Sequence, residues 1–129
     1  MTTSISTPVG SASALGNVLR LVVTLGAIAV FGQAVLAGDI LVGDSGALLA
    51  HGTGSLVVVG IGLAQLVVSV VAWRRRRAPG SVALVSTLVL LADVGQLVAG
   101  AMSLLVVHIP LGVAIFGGYV VLVSMVWRR

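Results

Sequence analysis

The two histidines of this chain, His51 and His108, are the residues best suited to metal chemistry. The sequence contains no cysteine, lysine or glutamate, and its acidic residues are Asp39, Asp44 and Asp93. An imidazole can bind a metal through one nitrogen while the other nitrogen donates a hydrogen bond that orients the ring. Two imidazoles held at one depth of a fold would therefore form a ligand pair for a single metal centre.

The composition limits the kind of fold that can position these rings. Of the 129 residues, 59% are hydrophobic and only 8% are charged, which lies far outside the range of soluble domains. A helix needs about 20 apolar residues to cross a bilayer. Four such stretches use almost the whole chain and leave no room for a soluble catalytic domain. We therefore predict an all-α, four-transmembrane-helix bundle in the lipid bilayer, and we do not expect an enzyme.

The arginines predict the topology of this bundle. They form three clusters, at Arg20, Arg74–Arg77 and Arg128–Arg129, and basic residues favour the cytoplasmic side of a membrane protein. Both termini are therefore predicted to be cytoplasmic, and both histidines to lie at the opposite end, in the plasma (inner) membrane. Each cluster borders an apolar span without interleaved aromatic residues, so we expect no nucleic-acid partner.

The predicted domain covers residues 18–129 and follows a flexible N-terminal tail at residues 1–17. The tail is rich in Ser, Thr, Gly and Ala and has no basic segment before its first apolar residues, unlike a cleaved signal peptide. The predicted spans cover residues 21–38, 47–73, 81–100 and 104–127.

The two halves of the sequence repeat the same order of features. A Gly-Gln segment, Gly32–Gly38, is echoed by Gly95–Gly100, and a histidine follows each segment. A Trp-Arg pair then follows the histidine by 22 residues in one half (73 minus 51) and by 19 in the other (127 minus 108). This order predicts two helical hairpins of the same topology, related by a two-fold axis along the membrane normal. Such an axis would place the two histidines opposite each other.

Small and amide side chains near the histidines complete the candidate site. Gly54, Ser55 and Gly112 lie one turn below the histidines and could leave space for a flat macrocycle, although small residues also allow close helix packing. Gln33 and Gln96 lie at a similar depth. Their side chains could accept an imidazole N–H and fix the ring for coordination, or could only bridge helices.

Asp93 is the one acidic residue predicted to lie deep in a span. Carboxyl groups inside membranes are costly and often belong to proton relays. Asp93 is therefore a candidate proton relay, with a structural hydrogen bond to Gln65 or Tyr119 as the alternative.

The segments that follow the histidines carry a resemblance to known membrane proteins. HGTGSLVVVGIGLAQ begins at His51 and HIPLGVAIFGG begins at His108. This arrangement resembles half of a heme A synthase and small four-helix, b-type cytochrome-like membrane proteins of actinomycetes. The resemblance implies that the two histidines are axial ligands of one heme b. Without cysteine the heme would be non-covalent. The Glu-x-x-His-Arg signature of the synthases is absent, so heme modification is not implied.

Three functions follow from these patterns. The first is a heme protein with its heme near the outer leaflet, serving electron transfer or heme handling with quinone or a redox membrane protein as partner. The second is a metal-binding or transport protein that uses His51, His108, Asp39 and Asp44 as a cation site. The third is a structural membrane subunit without a cofactor. A homo-oligomer is compatible with each of them.

Overall fold

A computed structural model describes residues 14–128 and contains four helices joined by short turns. Their bounds are α1 (Ala14–Leu41), α2 (Ser45–Arg74), α3 (Gly80–Ala101) and α4 (Leu105–Trp127). Each helix is long and apolar enough to cross a membrane. The predicted all-α four-helix fold is therefore confirmed. Residues 1–13 of the predicted tail lie outside the described residues.

The helices form a closed ring in chain order. α1 packs against α2 and α4, and α3 packs against the same two helices, so α2 and α4 lie diagonally across the bundle. Large apolar side chains such as Ile28, Leu63 and Leu91 remain exposed on the outer surface, as expected for helices that face lipid. Residues near the bundle axis are the ones that can meet across it.

The turns define two ends of the bundle. The α1–α2 and α3–α4 turns lie at one end, which we call the histidine end, and the α2–α3 turn with Arg74–Arg77 lies at the other, the arginine end. Asp44 caps α2, because its Oδ1 atom accepts hydrogen bonds from the backbone N–H groups of Gly46 (2.8 Å) and Ala47 (3.2 Å). Gly43 precedes it with a φ of 92°, a left-handed conformation that suits glycine.

The first helix is longer than predicted at both ends. The predicted span stopped at two charged residues, Arg20 and Asp39, but α1 continues through both. Arg20 is accommodated because its Nε donates to the carbonyl of Val126 (3.0 Å) and its guanidinium lies 5.5 Å from the ring centre of Trp127. A long basic side chain can in this way place its charge at the end of a bundle without ending its helix. The bounds of the other three helices differ from the predicted spans by two residues or fewer.

The buried positions confirm that the bundle is a hairpin used twice. Each buried residue of α1 is matched by a buried residue of α3 that lies 63 residues later (82 minus 19). Four of the six buried residues of α2 are matched by a buried residue of α4 that lies 57 residues later (115 minus 58). Gln33 and Gln96 share the first offset, and His51 and His108 share the second. The matched buried pairs are Leu19/Val82, Val23/Ser86, Gly26/Val89 and Val30/Asp93, then Val58/Ile115, Gly62/Tyr119, Gln65/Leu122 and Ser69/Val126.

Candidate metal centre

The structure brings the two histidine rings together across the bundle axis. His51 lies in the second turn of α2 and His108 in the first turn of α4, and these helices are diagonal to each other. The ring centroids are 6.0 Å apart, and the ring planes make an angle of 62°. Both side chains are half-buried. The predicted meeting of the two imidazoles is therefore present in the fold.

Each imidazole is anchored by the preceding helix of its own hairpin. His51 Nδ1 lies 3.1 Å from the backbone carbonyl oxygen of Gln33, and His108 Nδ1 lies 3.0 Å from that of Gln96. A carbonyl oxygen can only accept a hydrogen bond, so each Nδ1 carries the proton and donates it. In the neutral ring this hydrogen bond selects the tautomer with its lone pair on Nε2, which is the form of histidine that binds metals.

The two glutamines thus orient the histidines, but through a different atom from the one predicted. The sequence pointed to the side-chain amides as acceptors for the imidazole N–H groups, whereas the structure uses the backbone carbonyls. A helical carbonyl can accept this bond because its oxygen has two lone pairs, of which the helix uses one. The sequence could identify the residues by depth, but not which oxygen of each residue faces the ring.

The side-chain amides occupy the space beside the predicted glycines. A Cβ atom on Gly54 would overlap the amide of Gln33, and one on Gly112 would lie 2.9 Å from Nε2 of Gln96. These glycines therefore seat the glutamine side chains. The space that the sequence assigned to a flat macrocycle is filled by the two amides. The Oε1 atoms of Gln33 and Gln96 are buried and have no hydrogen-bond partner.

Two other small residues near the histidines, Ser55 and Gly100, differ in whether they contact the site. The hydroxyl of Ser55, a predicted site residue, donates to the carbonyl of Gly52 in its own helix (2.7 Å), so it is occupied locally. Gly100, which the sequence did not single out as a site residue, leaves room for the His108 ring. A Cβ at this position would lie 2.9 Å from Cε1 of His108. The position of Gly100 one turn after Gln96 was the available signal, because residues four apart share a helix face.

The predicted cation site of two histidines and two aspartates is not assembled. Among residues 14–128, no group of three or more His, Cys, Asp or Glu side chains is arranged to hold a metal ion. Asp44 caps α2 instead, and Asp39 is exposed on the last turn of α1. The carboxylates of that end thus serve the helix termini and the solvent rather than the imidazoles.

Below the histidines lies a second group of polar residues, which we call the polar core: Gln65, Ser69, Ser86, Asp93 and Tyr119. Tyr119 donates to Oδ2 of Asp93 (3.3 Å). Of the two hydrogen-bond partners that the sequence suggested for Asp93, Gln65 and Tyr119, the structure therefore uses the tyrosine. Gln65 Nε2 donates to Ser86 Oγ (3.3 Å), and the hydroxyls of Ser69 and Ser86 are 3.0 Å apart. All five residues are buried, with at most 4% of their surface exposed.

Comparison with protein-family models, curated proteins and solved structures gives no match for this chain. The function is therefore argued from the geometry of the two histidines and the layers around them.

Proposed function

We propose that this chain is a multi-pass membrane protein that binds one heme b non-covalently between His51 and His108 and serves electron transfer or heme handling. The observation that carries the proposal is the matched pair of imidazoles, each with Nδ1 bonded to a backbone carbonyl and the ring centroids 6.0 Å apart. An imidazole nitrogen binds a metal at about 2 Å, so two rings that share one metal are separated by about 6 Å.

The proposed cofactor fits the donor atoms of the site, and its macrocycle requires that the two amides beside the histidines move. Two neutral imidazoles are suitable axial ligands for a heme iron. The amides of Gln33 and Gln96 must turn away to admit the ring, and this movement costs their Oε1 atoms no hydrogen bond, because those atoms have no partner. Bound heme would supply a one-electron centre, and with both axial positions taken we expect no oxygen chemistry.

The protein would control this centre through its surroundings. The backbone carbonyls of Gln33 and Gln96 fix both rings and increase the basicity of the coordinating nitrogens. Two turns below the histidines, the buried apolar residues Val58 and Ile115 form an apolar layer under the site. Both features act on the reduction potential of a bound heme.

The proposed topology places the arginine end in the cytoplasm and the histidine end near the outer leaflet. Exposed apolar residues surround the histidine end, including Leu41, Val42 and Val106, each more than 80% exposed. Such a rim favours a partner that approaches from the bilayer, such as a quinone or a redox membrane protein.

The test is the visible spectrum of the detergent-purified protein, before and after addition of hemin. We expect one heme per chain, a sharp Soret band and split α and β bands on reduction. His51→Ala and His108→Ala should each abolish the low-spin spectrum, while the control Asp39→Asn, which changes an exposed residue of the same end, should keep it. A wild-type spectrum in either histidine variant would refute the assignment.

A transition-metal ion held without a porphyrin is the second candidate. The buried, unpartnered Oε1 atoms of Gln33 and Gln96 favour it, because they are oxygen acceptors in the same layer as two imidazole lone pairs. Imidazole ligands suit zinc and copper. A colourless preparation with one zinc or copper per chain, lost in His51→Ala and weakened in Gln33→Leu, would select this candidate over heme.

A further inference from the structure

Asp93 and Tyr119 form a buried pair in the interior of the bundle, apart from the histidines. Asp93 lies about 20 Å along α3 from Gly80, at 1.5 Å per residue, and 4% of its surface is exposed. Tyr119 is fully buried and donates its hydroxyl to Oδ2 of Asp93. The proposed heme site uses neither residue.

The packing around this pair is shaped to hold it. A Cβ on Gly62 would lie 3.1 Å from Oδ2 of Asp93 and 3.7 Å from the Tyr119 hydroxyl. A Cβ on Gly26 would overlap the Tyr119 ring. The repeat makes this arrangement possible, because Gly62 is the position in α2 that matches Tyr119 in α4. One half of the bundle therefore supplies the space that the side chain of the other half fills.

Among residues 14–128, no counter-charge faces the carboxyl group from any helix that packs around it. From α4, the titratable neighbour of Asp93 is Tyr119. The neighbours from the other two helices are glycines: Gly62 of α2 lies beside the carboxyl group, and Gly26 of α1 lies behind the tyrosine ring. The described arginines lie at the arginine end. A charge buried without a counter-charge is very costly, so the carboxyl group is expected to hold a proton at rest.

The rest of the polar core lies between this pair and the arginine end. Ser69, Ser86 and Gln65 form a continuous hydrogen-bonded group between α2 and α3, and Ser69 lies five residues before Arg74 (74 minus 69). Gln65 follows Gly62 by less than one turn, and a Cβ on Gly62 would lie 3.1 Å from Oδ2 of Asp93. The buried Oε1 atom of Gln65 has no partner. This unpartnered acceptor lies between the serines and the carboxyl group.

We infer that Asp93, held by Tyr119, is an exchangeable proton-binding site that is reached from the arginine end through Ser69, Ser86 and Gln65. The step is a simple proton exchange: the Asp93 carboxyl group releases its proton to water at the arginine end and takes one back from the hydronium ion formed there. The matched α1–α4 side of the bundle offers no such route, because Val23, Val30, Leu122 and Val126 occupy the equivalent positions. The inference does not depend on heme.

Infrared spectroscopy of the full chain in lipid nanodiscs tests the site. We expect the carbonyl stretching band of a protonated carboxyl group in the wild type, its loss in Asp93→Asn, and a shift to higher frequency in Tyr119→Phe, which removes the hydrogen bond. The matched control Asp39→Asn should keep the band. A spectrum of Asp93→Asn that retains the band, or a wild-type spectrum without it, would overturn the inference.

The rate at which the band shifts in heavy water tests the route. We expect Ser86→Ala to slow the exchange by about tenfold, the effect of roughly one lost hydrogen bond on a transfer barrier. Asp39→Asn, at the exposed histidine end of α1, should leave the rate unchanged. A wild-type band that never exchanges would show a sealed structural carboxyl group, and slowing by Asp39→Asn without slowing by Ser86→Ala would show entry from the histidine end. Should Ser86→Ala not fold, Ser69→Ala carries the same expectation.

Discussion

The histidine layer, formed by His51, His108, Gln33 and Gln96, and the polar core below it differ in symmetry. In the histidine layer both halves of the bundle carry the same residues and make the same hydrogen bond to a glutamine carbonyl. In the polar core every polar residue is matched by an apolar residue or a glycine in the other half. A two-fold ligand requires equal donors from both sides, whereas a buried hydrogen-bond network requires only that its own members be complementary.

The two layers also differ in how their polar side chains are paired. Each polar-core residue has a side-chain hydrogen bond to another member of that layer, although Gln65 Oε1 has no partner. In the histidine layer the Oε1 atoms of both Gln33 and Gln96 have no partner. Unsatisfied buried acceptors cost free energy, so their presence in the histidine layer is consistent with a site shaped for a ligand. We therefore expect substitutions in the polar core to change stability, and substitutions in the histidine layer to change binding.

The largest expected effect on stability is that of Tyr119→Ala. The side chain is fully buried and fills the space beside Gly26 and Gly62, so its removal should lower the free energy of unfolding by about 3–5 kcal/mol, as for other buried aromatic residues. Unfolding in mixed detergent micelles, followed by circular dichroism, measures the loss. The control Tyr119→Phe should lose only about 1 kcal/mol, the contribution of one hydrogen bond. Equal losses in the two variants would contradict the packing role.

Gly100→Ala should weaken heme binding by about tenfold, which corresponds to about 1.4 kcal/mol. The added Cβ would lie 2.9 Å from Cε1 of His108 and must push the ring. A hemin titration followed in the Soret band measures the change. Gly95→Ala is the matched control on the same helix, because a Cβ there would make an ordinary contact of 3.7 Å with Leu111. Unchanged affinity in Gly100→Ala would show that this glycine does not position the ring.

Ser86→Ala should lower the free energy of unfolding by about 1–2 kcal/mol, since it removes the shared partner of two buried polar groups. Gln65 Nε2 donates to Ser86 Oγ, and the hydroxyl of Ser69 lies 3.0 Å away from it. Ser124→Ala is the control, because that hydroxyl bonds only a carbonyl of its own helix. Chemical unfolding of the two variants side by side makes the comparison. An equal loss in both would mean that the network adds nothing beyond a local bond.

The smallest effect on stability is expected for Gln96→Leu. Its Oε1 atom has no partner, and an apolar group of similar size can replace an unsatisfied acceptor at little cost. The free energy of unfolding should change by less than about 0.5 kcal/mol, or should rise. Gln33→Leu, the matched variant of the other half, should behave in the same way. A loss above about 1 kcal/mol in either variant would show that the amide has a structural partner.

The sequence predicted the parts of this fold that depend on periodic patterns. The four apolar stretches gave the helices, and the repeated order of glutamine, histidine and Trp-Arg pair indicated that His51 and His108 face each other. The two offsets of the buried positions could have been found as well, by aligning the first helices of the hairpins on Gln33 and Gln96 and the second helices on His51 and His108.

Contacts between helices could not be predicted in the same way. Whether Gln33 presents its carbonyl or its amide to the ring depends on how closely α1 approaches α2. The charge of Arg20 predicted the end of a span. The sequence could not show that Arg20 lies over the ring of Trp127, because the two residues are more than a hundred positions apart. The choice of Tyr119 as the partner of Asp93 depends likewise on the space left by Gly26 and Gly62. These are properties of packing, which composition and spacing do not encode.

The shared ligation of one iron by two imidazoles is tested most directly by low-temperature electron paramagnetic resonance of the ferric, hemin-loaded protein. The geometry of the histidine layer predicts a single low-spin species in the wild type and its loss in both His51→Ala and His108→Ala. A high-spin signal in the wild type, or a low-spin signal that survives removal of either histidine, would contradict the proposal.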